Sequence, residues 1–384
     1  MRGSIVKRGA GYSIVYRAPD PATGRAKQVW RGGFATKREA ERELTAVGTS
    51  LDAGTYVRSE KVTLRTFLER DWLPSIDNLV TNGTMKPSMA SNYRSHVERH
   101  IVPRIGGVQL EAVTTPALNR LYADLLAGGR IDGKGGLSRS SVRLVHVTMS
   151  RALGDAVRWG KLARNVAKEA DAPQADSAER TTWSGAELRT FLAHVSEDRL
   201  STMWLTFATT GLRRGEVAGL RWVDVDLEAG ELRVAQSRVS VDYRVHTVAP
   251  KTRKGARVLS LDAATVASFR AHRARQAEER LAWGPGWTAS GLIFVREDGS
   301  DLHPDTIRLM FQARARRAGL PPIRVHDLRH SYATAALEAG VDLKVLSERL
   351  GHATTGITSD TYQHVRRAVD ARAADLTAAY ILGS

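Results

Sequence analysis

The sequence contains no cysteine. That removes disulfides, thiolate nucleophiles and Cys-ligated zinc from consideration. Long apolar runs are also missing. Nothing approaches the ~20 residues that a membrane-spanning helix needs, and the N-terminus has no signal-type apolar stretch. The arginines are not gathered on one amphipathic helix, which speaks against a membrane-surface protein. No tandem repeat of fixed period is present. Acidic residues are in deficit, 41 Asp and Glu against 57 Lys and Arg, for a net charge of +16.

A charge of that sign and size points to a polyanionic partner, most commonly nucleic acid. On charge alone the alternatives are a ribosome-associated protein or an incidentally basic enzyme. The excess is not a basic tail. Residues 1–61 hold 12 Lys and Arg against 6 Asp and Glu, residues 62–173 hold 16 against 10, and residues 177–384 hold 29 against 24. Hydrophobic residues make up 42%, enough for buried cores. A chain of 384 residues is long for one domain, so two or three are expected.

Residues 1–61 open with β-type alternation. Tyr12-Ser13-Ile14-Val15-Tyr16 and Lys27-Gln28-Val29-Trp30-Arg31 flank a turn signal, Asp20-Pro21-Ala22-Thr23-Gly24, and a shorter strand at Ser4-Ile5-Val6 precedes them. Thr36 and Glu39 form a capping box for a helix running to about Ala53. The expected module is a three-stranded sheet with one helix. Residues 62–173 read as all-helical, with helices beginning near Thr63, Ser88, Thr115 (Pro116 at the first helical position) and Ser138. Val142, Val145, Met149, Leu153 and Val157 carry the helical spacing of the last one. The glycine-rich stretch 128–136 is a loop. Lys86, Arg94, Arg99, Arg139 and Arg143 are candidate phosphate contacts, each weighed against an ordinary solvated helix face. Residues 174–183 form a linker, and a second capping box, Ser184 with Glu187, restarts regular structure for residues 184–384.

Chemistry-bearing residues concentrate in that last segment. Thr210-Gly211-Leu212-Arg213-Arg214-Gly215-Glu216 follows an apolar helix, so Arg213 stands at a helix junction with Glu216 about one turn away. Pro250-Lys251-Thr252-Arg253-Lys254-Gly255 is a turn before the strand from Arg257 to Leu261. His326 and Arg329, at i and i+3 of a helix start, share one face, so imidazole and guanidinium can meet one phosphate. A zinc reading of His326 and His330 lacks the HExxH glutamate and a third ligand. Gly340 ends that helix, Asp342 caps the next, and Gly351 terminates it, which puts His352 at a tight helix-to-loop turn. Tyr362 follows a polar connector. His303-Pro304-Asp305 superficially copies a chaperone-binding tripeptide, but Asp305 is explained as a helix cap. A guanidinium is permanently charged and matches phosphate with a bidentate fork, so such a set suits metal-free attack on a phosphodiester.

In order and spacing, Arg213, Lys251, His326, Arg329, His352 and Tyr362 resemble the catalytic residues of the tyrosine recombinases, the phage integrase family. The likeness is close over the catalytic part, moderate over residues 62–173 and loose over the first sixty. It implies a multidomain, mainly α fold with small β-sheets: an arm-type DNA-binding module (1–61), an all-α core-binding domain (62–173), the linker, and an α+β catalytic domain with a C-terminal tail (184–384).

The resemblance further implies a site-specific recombinase that integrates or excises a mobile element. Tyr362 would attack a DNA phosphate to give a 3′-phosphotyrosyl bond and a free 5′-hydroxyl. Arg213 and Arg329 would clamp the non-bridging oxygens and Glu216 would orient Arg213. His352 would add a donor, and His326 would help move the tyrosine proton. Lys251, with Lys254 as competitor, would protonate the leaving oxygen. Neither a metal nor another cofactor is implied. The implied partners are double-stranded attachment sites, three further copies in a synapsed tetramer, an excisionase and a DNA-bending protein, in the cytoplasm of a bacterial host. The apolar end, residues 376–382, either docks on a neighbouring protomer or packs on its own domain. Two rivals stand beside this: a type IB topoisomerase-like enzyme with the same chemistry, and a non-enzymatic DNA-binding protein, which has no need of Tyr362.

Overall fold

The computed structural model describes residues 3–19, 25–53, 62–174, 181–249 and 255–351, together with 378 and 380–382. The chain divides into two compact units, Met1–Ser177 and Ala178–Ser384. Among the described residues no helix is long and apolar enough to cross a membrane.

The first unit opens with an antiparallel sheet of strands β1 (Gly3–Arg8), β2 (Gly11–Pro19) and β3 (Ala26–Phe34), in that order. Side chains alternate across a strand, so Ile14, Tyr16 and Ala18 share one face. They pack on Ala40, Leu44 and Val47 of helix α1 (Lys37–Asp52). The expected capping box starts that helix: Thr36 Oγ1 accepts from the Glu39 N–H, and the Glu39 carboxylate accepts from the Thr36 N–H, both at 3.2 Å. The turn expected at Asp20–Gly24 lies outside the described residues.

Four helices follow: α2 (64–81), α3 (87–105), α4 (Thr115–Gly128) and α5 (Arg139–Arg158). They enclose a core that includes Phe67, Trp72, Val97, Ile101, Tyr122 and Met149. Helices α2 and α3 each run through a proline, and each contains one widened turn just before it. The Leu73 N–H reaches back to Leu68 and the Val102 N–H to Val97, five residues in each case. A proline ring collides with the carbonyl four residues back and has no N–H to give it. A wider turn moves that carbonyl aside, so Pro74 and Pro103 are absorbed without ending either helix. Ser138 caps α5, as expected, and Thr114 rather than Thr115 caps α4. Val142, Val145, Met149 and Leu153 are buried, and Val157 is half-buried.

In the second unit the Ser184–Glu187 capping box opens α6 (Gly185–His194), followed by α7 (Ser201–Thr210) and α8 (Arg214–Ala218). Strands β4 (Val225–Asp226), β5 (Glu231–Arg233) and, later in the chain, β8 (Val258–Ser260) form one small antiparallel sheet. Between β5 and β8 a separate hairpin is inserted, β6 (Ser237–Val241) with β7 (Arg244–Val248). Helices α9 (Ala263–Trp283), α10 (Pro304–Arg317), α11 (Asp327–Glu338) and α12 (Leu343–Leu350) follow among the described residues. The centre is aromatic: Trp183, Phe191, Trp204, Phe207 and Phe311 pack at centroid separations of 5.2–6.2 Å. A smaller cluster, Ala333, Leu337, Leu346 and Leu350, holds α12 against α11. The backbone N–H of Trp183 donates to Ser331 Oγ at 2.9 Å and its indole to the Pro321 carbonyl at 3.0 Å, which fixes α11.

The cap of α10 corrects one expectation. His303 Nδ1 accepts from the Asp305 N–H at 3.2 Å, so the histidine is the cap. Asp305 instead takes the Arg214 guanidinium at 2.9 Å.

Gly211 ends α7 in the left-handed conformation, φ 63°. A Cβ there would lie 2.4 Å from Tyr332 Cδ1 and 2.8 Å from Leu350 Cδ2. Both the backbone and the space therefore require glycine. Gly211→Ala is expected to cost about 2–4 kcal/mol and to lower the melting temperature by roughly 5–15 °C. Thermal unfolding of the whole chain checks this; an unchanged melting temperature contradicts it.

Candidate active site

Four of the sequence-predicted catalytic-domain residues, Arg213, Glu216, His326 and Arg329, are described, and the two arginines meet at one helix end. An α-helix leaves its last carbonyls without intrahelical partners, and they carry the negative pole of the helix dipole. Gly351, at φ 67°, terminates α12 in the left-handed conformation. The three carbonyls there each receive an arginine. Arg257 Nε donates to the Arg349 carbonyl at 2.6 Å, Arg329 Nη2 to Leu350 at 2.6 Å, and Arg213 Nη2 to Gly351 at 3.4 Å. Arg329 Nη1 also donates to the Gly211 carbonyl at 3.0 Å, so one guanidinium joins the ends of α7 and α12.

Glu216 links two of these cations. Its carboxylate accepts from Arg213 Nη1 at 2.9 Å and from the Arg213 backbone N–H at 2.9 Å. It also takes a bidentate pair from Arg257, at 3.2 and 3.0 Å. Arg213 precedes α8 and Glu216 is its third residue, so the carboxylate folds back over the helix start as in a capping box. The side chains of Glu216 and Arg257 are each only 7% exposed, whereas that of Arg213 is 40% exposed. Of these three side chains, Arg213 alone keeps a wet face. Burial pushes the Glu216 carboxyl up, but its hydrogen bonds and charge contacts with Arg257 and Arg213 outweigh that and hold it below the ordinary carboxylate range.

Arg329 is buried on the first turn of α11, and His326 is exposed immediately before that helix. His330 is buried, with its ring edge-on to His326 at 5.5 Å. Asp327, beside them, holds Arg324 through a two-point contact at 3.0 and 2.9 Å. Burial raises the Asp327 carboxyl, but Arg324 and the charge of His330 bring it below its usual value. Lys251, Lys254, His352 and Tyr362 lie outside the described residues. The Arg257 role was missed in the sequence. A signal was present: Arg257 is in phase with the inward-facing Leu259 of the same strand, and both are buried.

In the first unit Lys86, Arg99, Arg139 and Arg143 are exposed. Arg139 and Arg143 stand one turn apart on α5. Arg94 is half-buried and committed to Asp77, with Nη2 at 2.9 and 2.7 Å from the two carboxylate oxygens. On the sheet, Arg8 lies over the half-exposed Trp30 ring at 4.6 Å.

Residues 184–368 match the phage integrase family and residues 4–51 match the arm DNA-binding domain. A XerC-like tyrosine recombinase of Caldanaerobacter subterraneus subsp. tengcongensis is 28% identical over 349 residues, covering 86% of each chain. The ICEBs1 integrase of Bacillus subtilis is 25% identical over 284 residues, 73% of this chain and 74% of that protein. Among solved structures, the Tn1549 transposon integrase in complex with circular intermediate DNA superposes with a TM-score of 0.62 at 18% identity, covering 81% of this chain and 99% of the other. A lambda integrase dimer bound to a COC′ core site gives 0.55 at 19% identity, covering 93% of each. These structures show the shared multidomain, mainly helical fold. A helical catalytic unit with paired arginines at one helix end, matched in sequence by enzymes that recombine DNA, defines a DNA strand-exchange enzyme. The chain belongs to the tyrosine recombinases of the phage integrase family. It is a site-specific recombinase that cuts and rejoins DNA through a 3′-phosphotyrosyl intermediate to integrate or excise a mobile element.

The lowered pKa of Glu216 bears on stability. Its folded pKa lies below its unfolded value of 4.5, so its contribution is complete above that value and is lost as pH falls through the folded pKa. Thermal unfolding of wild type and Glu216→Gln between pH 7 and pH 3 is expected to show wild type more stable at pH 7, with the gap narrowing on acidification. A gap that is constant across the range contradicts the ionised buried carboxylate.

Proposed function

We propose that Tyr362 is the nucleophile of this recombinase and that Arg213, Arg329 and His352 bind the non-bridging oxygens of the scissile phosphate. The tyrosine oxygen bonds to phosphorus as the bond to the 5′-oxygen breaks. The phenolic proton passes by way of His326, and Lys251 gives the departing oxygen its proton. A free phenol has a pKa of ~10, so attack needs both an acceptor and a strongly positive site. The observation that carries this reading is the meeting of Arg213 and Arg329 on the carbonyls of Leu350 and Gly351, the residues that directly precede His352. Because the energy of the broken bond is kept in the phosphotyrosyl link, a 5′-hydroxyl from another strand can reverse the step. The family chemistry needs neither metal nor nucleotide.

Residues 1–61 serve as an arm-binding module, 62–173 as the core-binding domain and 184–384 as the catalytic domain, with the linker at 174–183. Lys86, Arg99, Arg139 and Arg143 contact phosphates, with Arg94 less available because of Asp77. The working assembly is a homotetramer on two attachment sites, assisted by an excisionase and a DNA-bending protein, in a bacterial cytoplasm. Tyr380, Ile381 and Leu382 are 91%, 72% and 76% exposed, which favours docking of the tail on a neighbouring protomer.

A suicide DNA substrate tests the chemistry. Wild type is expected to form a covalent adduct in EDTA, Tyr362→Phe to form none, and Lys251→Ala to cleave about 10²–10⁴-fold more slowly, with a smaller effect for Lys254→Ala. An adduct in Tyr362→Phe overturns the nucleophile assignment; an adduct with no exchange between duplexes favours the topoisomerase rival. Deleting residues 376–384 is expected to impair tetramer assembly on DNA, read by native gels; unimpaired assembly refutes tail docking.

A further inference from the structure

Arg257 is a buried cation of the second unit that the mechanism above does not use, and its contacts are unusually specific. Nε donates to the Arg349 carbonyl at 2.6 Å, and the two terminal nitrogens take both oxygens of Glu216. Nη1 also reaches the Gly255 carbonyl at 3.3 Å, at the foot of the segment that carries Lys251 and Lys254. Its side chain is 7% exposed, and Nε and both terminal nitrogens are given to protein acceptors. One guanidinium therefore holds the β8 strand, the carboxylate that grips Arg213, and the last turn of the helix that leads into His352.

We infer that Arg257 is a positioning residue for strand cleavage, setting Arg213 through Glu216 and the approach to His352 through the Arg349 carbonyl. This rests on the reading of Arg213 and His352 as phosphate-binding residues. The planar fork is what the role demands. Glu216 needs two parallel donors on one side while Arg213 occupies the other, and a third donor must point away at the helix end. An ammonium offers a point charge and cannot satisfy the three directions together. Without Arg257 the Glu216 carboxylate has only Arg213 to neutralise it. Arg213 is then drawn into a structural pair and turned from the substrate.

The test is single-turnover cleavage of a suicide substrate at saturating DNA, with DNA affinity measured in parallel. Arg257→Ala is expected to cleave about 10²-fold more slowly, the penalty typical of a slightly misplaced catalytic group, with unchanged affinity. Arg257→Lys is expected to restore little, and added guanidinium ion to restore cleavage in Arg257→Ala. Glu216→Gln combined with Arg257→Ala is expected to be no slower than the slower single variant, because both act on Arg213. Wild-type cleavage by Arg257→Ala, full recovery by Arg257→Lys, or multiplicative losses in the double variant overturns the proposal. Should Arg257→Ala fail to fold, Arg257→Lys carries the same comparison, and cleavage at the wild-type rate overturns it. Tyr362→Phe, run alongside, reports separately on the underlying reading, since an adduct there brings down the nucleophile whatever Arg257 does.

Discussion

The end of helix α12 organises the catalytic unit. Its carbonyls at Arg349, Leu350 and Gly351 are acceptors with no helical partner, and three arginines from three different elements supply the donors. Arg257 comes from the position just before β8, Arg329 from the first turn of α11, and Arg213 from the junction of α7 and α8. Three like charges would not assemble unaided. The negative pole of the helix and the buried carboxylate of Glu216, bonded to Arg213 and Arg257, make their proximity tolerable. The cationic character of the site is thereby built in before DNA arrives. Of the three, Arg213 is left substantially exposed, whereas Arg257 and Arg329 are buried.

This helix end is itself dependent on packing. Leu346 and Leu350 are buried against Ala333 and Leu337 of α11, the helix that carries Arg329. Gly211 must pass between Tyr332 and Leu350 for its carbonyl to reach Arg329. Close packing of small and apolar residues thus sets the separation of the guanidiniums, and the hydrogen bonds read out that separation. The aromatic cluster around Trp183 and Phe311 anchors α11 from its other side, through Ser331. Stability and chemistry meet on the same helix.

Much of this was visible in the sequence, because local rules decided it. The Thr36 and Ser184 capping boxes, the left-handed glycines at 211 and 351, and the cap at Asp342 each depend on residues within a few positions. The pairing of Arg213 with Glu216 was readable for the same reason. What escaped depends on distant partners or missing signals. Arg257 pointed inward by the strand's own period, but its partner Glu216 comes from the earlier α8. The β6–β7 hairpin turns through Asp242 and Tyr243 at φ 48° and 61°, without the glycine that marks such turns. The passage of α2 and α3 through prolines required a widened turn that no residue type announces. At α10 two polar residues competed for one cap, and the histidine took it.

The most direct measurement is a structure of the Tyr362→Phe chain on an intact attachment site. The expected result has guanidinium nitrogens of Arg213 and Arg329 at about 3 Å from non-bridging oxygens of one phosphate, with the ring of residue 362 in line behind it. Arg257 should remain on Glu216 and on the end of α12. A scissile phosphate held elsewhere, with either arginine still turned to protein alone, would contradict the account at its centre.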